Sequence, residues 1–248
     1  RRYEPLPGSG PAVLIVPAPI KRGYIWDLLP HVSVVRRLAA EGFRVYMTEW
    51  TEPGEAERDF GLADYADRLI GKCVSAVARD SGSARVFLAG HSLGGTLATL
   101  FASMHADRVR GLVILEAPLH FGEDGGALAR MVADAPPALA ALFRPSVQPY
   151  LISWLPLDPA ALLAAYDGPV FIGQGTTDLQ IGVVDAQALA AADPEATLKL
   201  WDGVNHVLKV APSDRAANLA AYADPDQPLA AGVVSDVAGF IQAHSPAQ

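Results

Sequence analysis

Short apolar runs alternate along this chain with longer segments in which apolar residues recur at helical spacing. The runs are rich in Val, Ile and Leu, and most of them lack a polar face. Such runs are typical of strands that are buried on both sides in a parallel sheet. The predicted strands are residues 13–16, 43–47, 86–89, 112–115, 170–172 and 196–200.

The longer segments predict helices between these strands. In residues 62–78, for example, Leu62, Ala66, Leu69 and Cys73 follow one another at intervals of three or four, which places them on one helical face. The other predicted helices are residues 33–40, 93–103, 186–192 and 233–241. This alternation predicts an α/β fold in which helices flank a mostly parallel sheet, formed as a single domain over residues 1–248.

One segment, at about residues 119–166, interrupts the alternation. It consists of Ala-, Pro- and Gly-rich pieces with scattered large apolar side chains, among them Phe143 and Trp154. We expect an insertion that forms a short helical cap and an apolar binding pocket. Phe143 and Trp154 are therefore predicted to contact substrate, and so are Tyr24 and Trp26, which follow the first predicted strand.

The charge and composition narrow the class of partner. A formal net charge of −8, without a cluster of Lys and Arg, argues against nucleic acid. No apolar run approaches the ~20 residues of a membrane span. No signal peptide is visible, which favours the cytoplasm, although the chain begins at Arg1 and an upstream segment could have been removed. Cys73 is the sole cysteine, so an internal disulfide and a thiolate metal cluster are both excluded.

The sequence Gly90-His91-Ser92-Leu93-Gly94 carries the clearest chemical signal. It matches G-x-S-x-G and lies between a predicted strand and a predicted helix. At such a turn the serine adopts a strained backbone conformation, and its glycine neighbours allow strand and helix to pass closely. Ser92 is therefore the candidate nucleophile, and it needs a base that a third group orients.

With these features the chain resembles the α/β-hydrolase superfamily over essentially its whole length. Residues from about 11 to 135, including "LAGHSLGGTLA", are similar to the catalytic domain of polyhydroxyalkanoate synthases and their hydrolase relatives. Residues from about 142, including "GQGTTDLQI" and "NHVLKVAPSDRAANLAAY", resemble small serine esterases. The synthases carry cysteine at the nucleophile position, where this chain has Ser92, so the resemblance favours ester hydrolysis over chain elongation.

The superfamily resemblance implies the chain order serine, acid, histidine, with the acid and the base on loops after later strands. Asp178 follows the strand at 170–172, and His206 follows the strand at 196–200. Both would lie at the carboxyl edge of the sheet. Asp178 is the predicted acid and His206 the predicted base; Glu116, at the end of another strand, is the alternative acid.

The resemblance also implies an oxyanion hole made of two backbone N–H groups. One would come from Leu93, directly after the nucleophile. The other would come from the loop after the first strand, where the matching position is Pro19, which has no N–H. Ala18 or Ile20 would then supply it, and we favour Ile20.

The function expected from the sequence is hydrolysis of small to medium, fairly apolar carboxylic esters through an acyl-enzyme. Ser92 attacks, His206 moves the proton and Asp178 orients His206, with neither metal nor organic cofactor. One alternative is a thioesterase or a hydrolase that acts on hydroxyacyl chains. Another is a binding protein that keeps the fold without the chemistry.

Overall fold

A sheet of seven strands forms the centre of the computed structural model, which describes residues 2–3, 10–19, 23–52, 54–118, 154 and 157–246. The described residues form nine strands in all, two of which (β3 and β4) lie outside this sheet. They are β1 (Arg2–Tyr3), β2 (Ala12–Val16), β3 (Asp27–Leu29), β4 (Val32–Ser33), β5 (Arg44–Met47), β6 (Val86–His91), β7 (Val109–Leu115), β8 (Val170–Gly175) and β9 (Thr197–Trp201). The helices are α1 (Val34–Ala40), α2 (Ile70–Ser81), α3 (Leu93–Met104), α4 (Pro159–Ala164), α5 (Val183–Ala192), α6 (Arg215–Ala223) and α7 (Val233–Ala243).

The strand order in the main sheet is β1-β5-β2-β6-β7-β8-β9. The six strands from β5 to β9 pair in parallel, and β1 pairs antiparallel with β5 at the edge. The predicted α/β class with a mostly parallel sheet is therefore confirmed. Strands β3 and β4 form a separate antiparallel pair.

Two apolar layers cover the faces of the sheet, and strand β2 contributes to both. Leu14 and Val16 pack into the layer that contains Leu97 of helix α3. Val13 and Ile15 pack into the opposite layer, together with residues of α1 and α7. Because neighbouring side chains of a strand point to opposite faces, a strand covered on both sides must be apolar throughout. This is the physical basis of the runs that predicted the strands.

Several elements differ in extent from the sequence prediction. The helix predicted at 62–78 contains one stretch of π-helix, Asp64–Leu69, before α2, which continues to Ser81. Strand β6 runs to His91, so it reaches the residue directly before Ser92. Helices α4 and α6 were not predicted, although Asp158 and Asp214 cap their amino ends by accepting backbone N–H groups. Such Asp caps are a sequence signal for a helix start.

Helix α4 occupies the carboxyl-terminal part of the segment for which a cap was predicted. Most of that segment, residues 119–153 and 155–156, lies outside the described residues. The single domain and its cap stay predictions. No helix among the described residues is both long and apolar enough to cross a membrane.

Two exposed glycines give a matched test of backbone conformation. Gly82 ends α2 with φ 68°, and Gly239 lies within α7; an added Cβ would contact nothing within 4 Å at either position. We expect Gly82→Ala to lower the free energy of unfolding by about 1–2 kcal/mol, since an L-residue is strained at positive φ. Gly239→Ala should raise it by about 0.5–1 kcal/mol, because alanine favours the helix.

Urea unfolding of the two variants measures both changes. Equal effects of the two substitutions would contradict the left-handed conformation assigned to Gly82.

Candidate active site

Ser92 lies at a sharp turn between strand β6 and helix α3. Its backbone has φ 56° and ψ −136°, a region that non-glycine residues rarely adopt. Its N–H donates to the carbonyl oxygen of Leu115 on the neighbouring strand, at 2.9 Å. The strained turn predicted from G-x-S-x-G is present in the structure.

The two glycines of the motif are required by close backbone contacts. A Cβ on Gly90 would lie 2.3 Å from the carbonyl oxygen of Gly94. A Cβ on Gly94 would lie 2.0 Å from the carbonyl oxygen of Val16, at the end of β2. Both distances are far below van der Waals contact, so neither position has room for any side chain. Helix α3 is thereby held against the end of β2.

Asp178 and His206 lie next to each other after strands β8 and β9. The Nδ1 atom of His206 is 2.8 Å from Oδ2 of Asp178. The other carboxylate oxygen, Oδ1, accepts the backbone N–H groups of Gln180 at 2.7 Å and Ile181 at 3.1 Å. A carboxylate at Nδ1 favours the tautomer with its proton on Nδ1, which leaves the acceptor lone pair on Nε2.

His91 connects His206 to the serine turn. Its Nε2 donates to the carbonyl oxygen of His206 at 2.8 Å, and the centroids of the two rings are 4.6 Å apart. Since His91 is the residue before Ser92, this contact brings the loop of His206 to the turn of Ser92. The side chain of Asn205 stabilises the same loop by accepting the N–H groups of Val207 and Lys209.

Glu116, the alternative acid, also reaches His206. It follows strand β7, has φ 46°, and is 1% exposed. Its Oε2 atom lies 3.5 Å from Nδ1 of His206 and 3.3 Å from Nε2 of His91. Asp178 makes the shorter contact to His206, but the structure places both carboxylates at the same nitrogen.

The residues predicted for the oxyanion hole are described only in part. Leu93 is the first residue of the twelve-residue helix α3, so its N–H lies at the positive end of the helix dipole. Ile20 lies outside the described residues. Trp50, which no sequence motif indicated, donates from Nε1 to the carbonyl oxygen of Pro17 at 2.7 Å. This hydrogen bond holds the first residue of the loop after β2.

Three of the four residues predicted to contact substrate are described, and their environments differ. Tyr24 is 59% exposed. Trp26 is 1% exposed and packs edge-on against His91, with 6.4 Å between ring centroids. It therefore contacts the residue that precedes Ser92. Trp154 is 2% exposed and packs in the apolar layer of α3. Phe143 lies outside the described residues, and contact with substrate stays a prediction for all four.

Within the described chain, one group has the spacing of metal ligands: potential donor atoms of His91, Glu116 and His206 lie within 4.8 Å of one another. Nε2 of His91 nevertheless faces the carbonyl oxygen of His206 at 2.8 Å, a contact that requires a proton on this nitrogen. A protonated ring nitrogen has no lone pair for a metal. We therefore interpret the group as a hydrogen-bonded cluster.

A cavity of about 250 Å³ lies at the opposite edge of the sheet. It is lined at the amino ends of the strands by Arg44, Arg85 and Arg110, among others. Ligands of open α/β sheets bind at the carboxyl ends of the strands. This cavity is therefore separate from the candidate site at Ser92.

The sequence is similar to poly(3-hydroxyalkanoate) polymerase subunits PhaC, among them those of two organisms. The protein from Haloferax mediterranei is 41% identical over 118 residues, which are 48% of this chain and 24% of the relative. The protein from Allochromatium vinosum is 31% identical over 164 residues, which are 65% of this chain and 46% of the relative. The chain thus spans less than half the length of these relatives.

Solved structures support the same fold. Est1E from Butyrivibrio proteoclasticus, determined with ferulic acid bound, aligns with a TM-score of 0.65 at 16% identity. The alignment covers 98% of this chain and 94% of the other. At this identity the likeness shows the fold alone. The family model Hydrolase_4, described as serine aminopeptidase, S33, matches residues 22–201, and the protein therefore belongs to this family of α/β-hydrolases.

Proposed function

We propose that the protein is a carboxylic ester hydrolase in which Ser92, His206 and Asp178 form the catalytic triad. The observation that carries the proposal is the 2.8 Å contact between Asp178 and His206, on a loop that His91 joins to the strained turn of Ser92. A serine at such a turn and an imidazole oriented by a carboxylate are the parts that nucleophilic acyl transfer requires.

We propose a reaction in two steps. Ser92 Oγ attacks the ester carbonyl and transfers its proton to Nε2 of His206. The tetrahedral oxyanion accepts hydrogen bonds from the backbone N–H groups of Leu93 and Ile20. His206 then gives the proton to the leaving alcohol, and an acyl-enzyme remains. Water attacks the acyl-enzyme with His206 as base, and the acid is released. No metal takes part in these steps.

We propose small to medium, fairly apolar acyl esters as the substrates. The support is the apolar composition of residues 119–166, which follow strand β7 and thus leave the sheet at the same edge as Ser92. A cap of this composition would provide an acyl pocket. On this proposal residues 1–248 form one domain with the cap as its insertion.

A second candidate is hydrolysis of hydroxyacyl thioesters or short polyesters. The 41% identity to a poly(3-hydroxyalkanoate) polymerase subunit favours it. Because the matched part is 24% of that relative, the relative's activity does not transfer to this chain by identity alone. The nucleophile also differs from the cysteine of the synthases, which favours hydrolysis over polymer growth.

Removing the nucleophile or the base should abolish turnover of p-nitrophenyl butyrate. We expect Ser92→Ala and His206→Ala each to lower kcat by about 10⁴-fold or more, and the double variant to be no worse, because triad residues act as a unit. The exposed residues Ser235 and His31 provide matched controls: Ser235→Ala and His31→Ala should leave kcat unchanged.

Circular dichroism should show that the inactive variants keep the fold. Fluorophosphonate should label the parent and not Ser92→Ala. An unlabelled, inactive parent would instead support a binding protein without chemistry.

Chelation gives a separate test of the metal-free mechanism. We expect EDTA to leave ester hydrolysis unchanged, because the ring nitrogen of His91 that faces His206 carries a proton. Activity that disappears in EDTA and returns with a divalent ion would contradict both the mechanism and our interpretation of the His91 cluster.

The substrate class is tested with p-nitrophenyl esters from acetate to palmitate, acyl-CoA thioesters and an aminoacyl p-nitroanilide. We expect the highest kcat/KM with short and medium esters, and no polymer from hydroxybutyryl-CoA. Ser92→Cys should hydrolyse esters less well and still form no polymer, since elongation also requires a pocket that excludes water. Polymer from the parent or from Ser92→Cys would overturn the proposal of hydrolysis.

A further inference from the structure

Two carboxylates approach the same nitrogen of His206, although a serine triad needs only one. Oδ2 of Asp178 lies 2.8 Å from Nδ1, and Oε2 of Glu116 lies 3.5 Å from it. The side chains of His206 and of both acids are fully buried. A buried negative charge is costly unless donors face it, so the position of Glu116 calls for a physical account.

The surrounding backbone fixes Glu116 at this position. Its N–H donates to the carbonyl oxygen of Gly173 on strand β8 at 2.9 Å, and its φ of 46° is strained for a residue with a side chain. A Cβ on Gly175 would lie 2.1 Å from the carbonyl oxygen of Val204 and 2.9 Å from Oε1 of Glu116, so this glycine leaves room for both the backbone and the carboxylate. Strained backbone of this kind persists where neighbouring contacts enforce it, often at functional sites.

Among the described residues, the two histidines of the site bring ring nitrogens close to Oε2 of Glu116. Nε2–H of His91 lies 2.8 Å from the carbonyl oxygen of His206 and 3.3 Å from Oε2 of Glu116, so one proton is shared between two acceptors. Nδ1–H of His206 donates to Asp178 at 2.8 Å, and Nδ1 also lies 3.5 Å from Oε2 of Glu116. The N–H that His91 donates towards Oε2 favours the charged carboxylate, against the nearby negative charge of Asp178.

We propose that Glu116 is a positioning residue for His206: a second carboxylate that, with Asp178, stabilises the imidazolium and, through His91, fixes the backbone of the His206 loop. The inference rests on the proposed function, in which His206 is the base. Glu116 acts on the reaction only through His206.

Two consequences separate this role from a purely structural one. The negative charge of Glu116 favours protonated His206, so removing that charge should lower the pKa of the base. Glu116 should also preserve part of the activity when Asp178 loses its charge, because a carboxylate remains near Nδ1. A structural role predicts lower thermal stability without either effect.

Within the part of the chain that the structure describes, the titratable groups at His206 and at its two acids come from four elements. They are His91 at the end of β6, Glu116 after β7, Asp178 after β8, and Tyr222 of helix α6. Burial raises the pKa of Tyr222, and the charges of Asp178 and Glu116 raise it further against the hydrogen bond from Gln180. Tyr222 is therefore neutral over the range in which His206 titrates.

The experiment compares the parent, Glu116→Gln, Asp178→Asn and the double variant, with Glu41→Gln as an exposed control. We expect Glu116→Gln to lower kcat about 10-fold and to move the acid limb of the kcat/KM profile to lower pH by about one unit. Asp178→Asn should lose less than the ~10⁴-fold of a protease with one acid. The double variant should fall to the activity of His206→Ala.

Imidazole nitrogen NMR of the same proteins measures the titration of His206 without turnover. Glu116→Gln should lower its midpoint by about one unit, and Glu41→Gln should not. Should Glu116→Gln fail to fold, Glu116→Asp keeps the charge at a greater distance and should lower the midpoint from the parent value by less than one unit.

An unchanged His206 midpoint in Glu116→Gln would overturn the inference, and so would a double variant as active as Asp178→Asn. Both results are compatible with an active, fluorophosphonate-labelled parent, so they leave the proposed function intact. A parent that hydrolyses no ester would instead refute the proposed function, while the NMR midpoint would still report the effect of Glu116 on His206.

Discussion

The strained backbone at Ser92 is the constraint on which the rest of the site depends. Its φ of 56° is maintained because helix α3 packs directly against the end of β2, with glycine at 90 and 94 as the only residue that fits. The hydrogen bond from Ser92 N–H to Leu115 ties the turn to the neighbouring strand. The sheet core thus enforces a conformation that an isolated turn would relax, and this presents the hydroxyl at the edge of the sheet.

The order of the strands explains why the other polar residues meet there. Strands β6, β7, β8 and β9 are consecutive neighbours in the sheet. Each is followed by one polar residue of the candidate site: Ser92, Glu116, Asp178 and His206. Parallel strands end at the same edge, so residues far apart in sequence converge without a long connecting loop. The function proposed for the protein depends on this arrangement more than on any single loop.

Because these polar residues are buried, their hydrogen bonds have a large effect on the energy of the site. Burial of a charged group costs free energy unless a partner faces the charge. Removal of one partner therefore leaves the other group with its full desolvation penalty. Asp178 accepts two backbone N–H groups, and His91 donates towards His206 and Glu116. These contacts hold the imidazole of His206 in one orientation, and such preorganisation is what the acyl transfer proposed for Ser92 requires.

The sequence alone determined the class of fold and the positions of the candidate nucleophile, acid and base. Continuous apolar runs indicated doubly covered strands, and the glycines around Ser92 indicated a close backbone approach. Local pattern carries this information because it depends on residues near in sequence. It also indicated that Glu116 and Asp178 each end a strand, and therefore left two acids open.

Only the tertiary structure decided that both acids approach one nitrogen, that Trp26 packs behind His91, and that Trp50 donates to the loop after β2. Each of these contacts joins residues 28 or more positions apart in the chain, as between Asp178 and His206 or Trp50 and Pro17. Spacing along the sequence does not specify such distances. They follow from sheet register and from how tightly the helices pack, which the whole chain sets together.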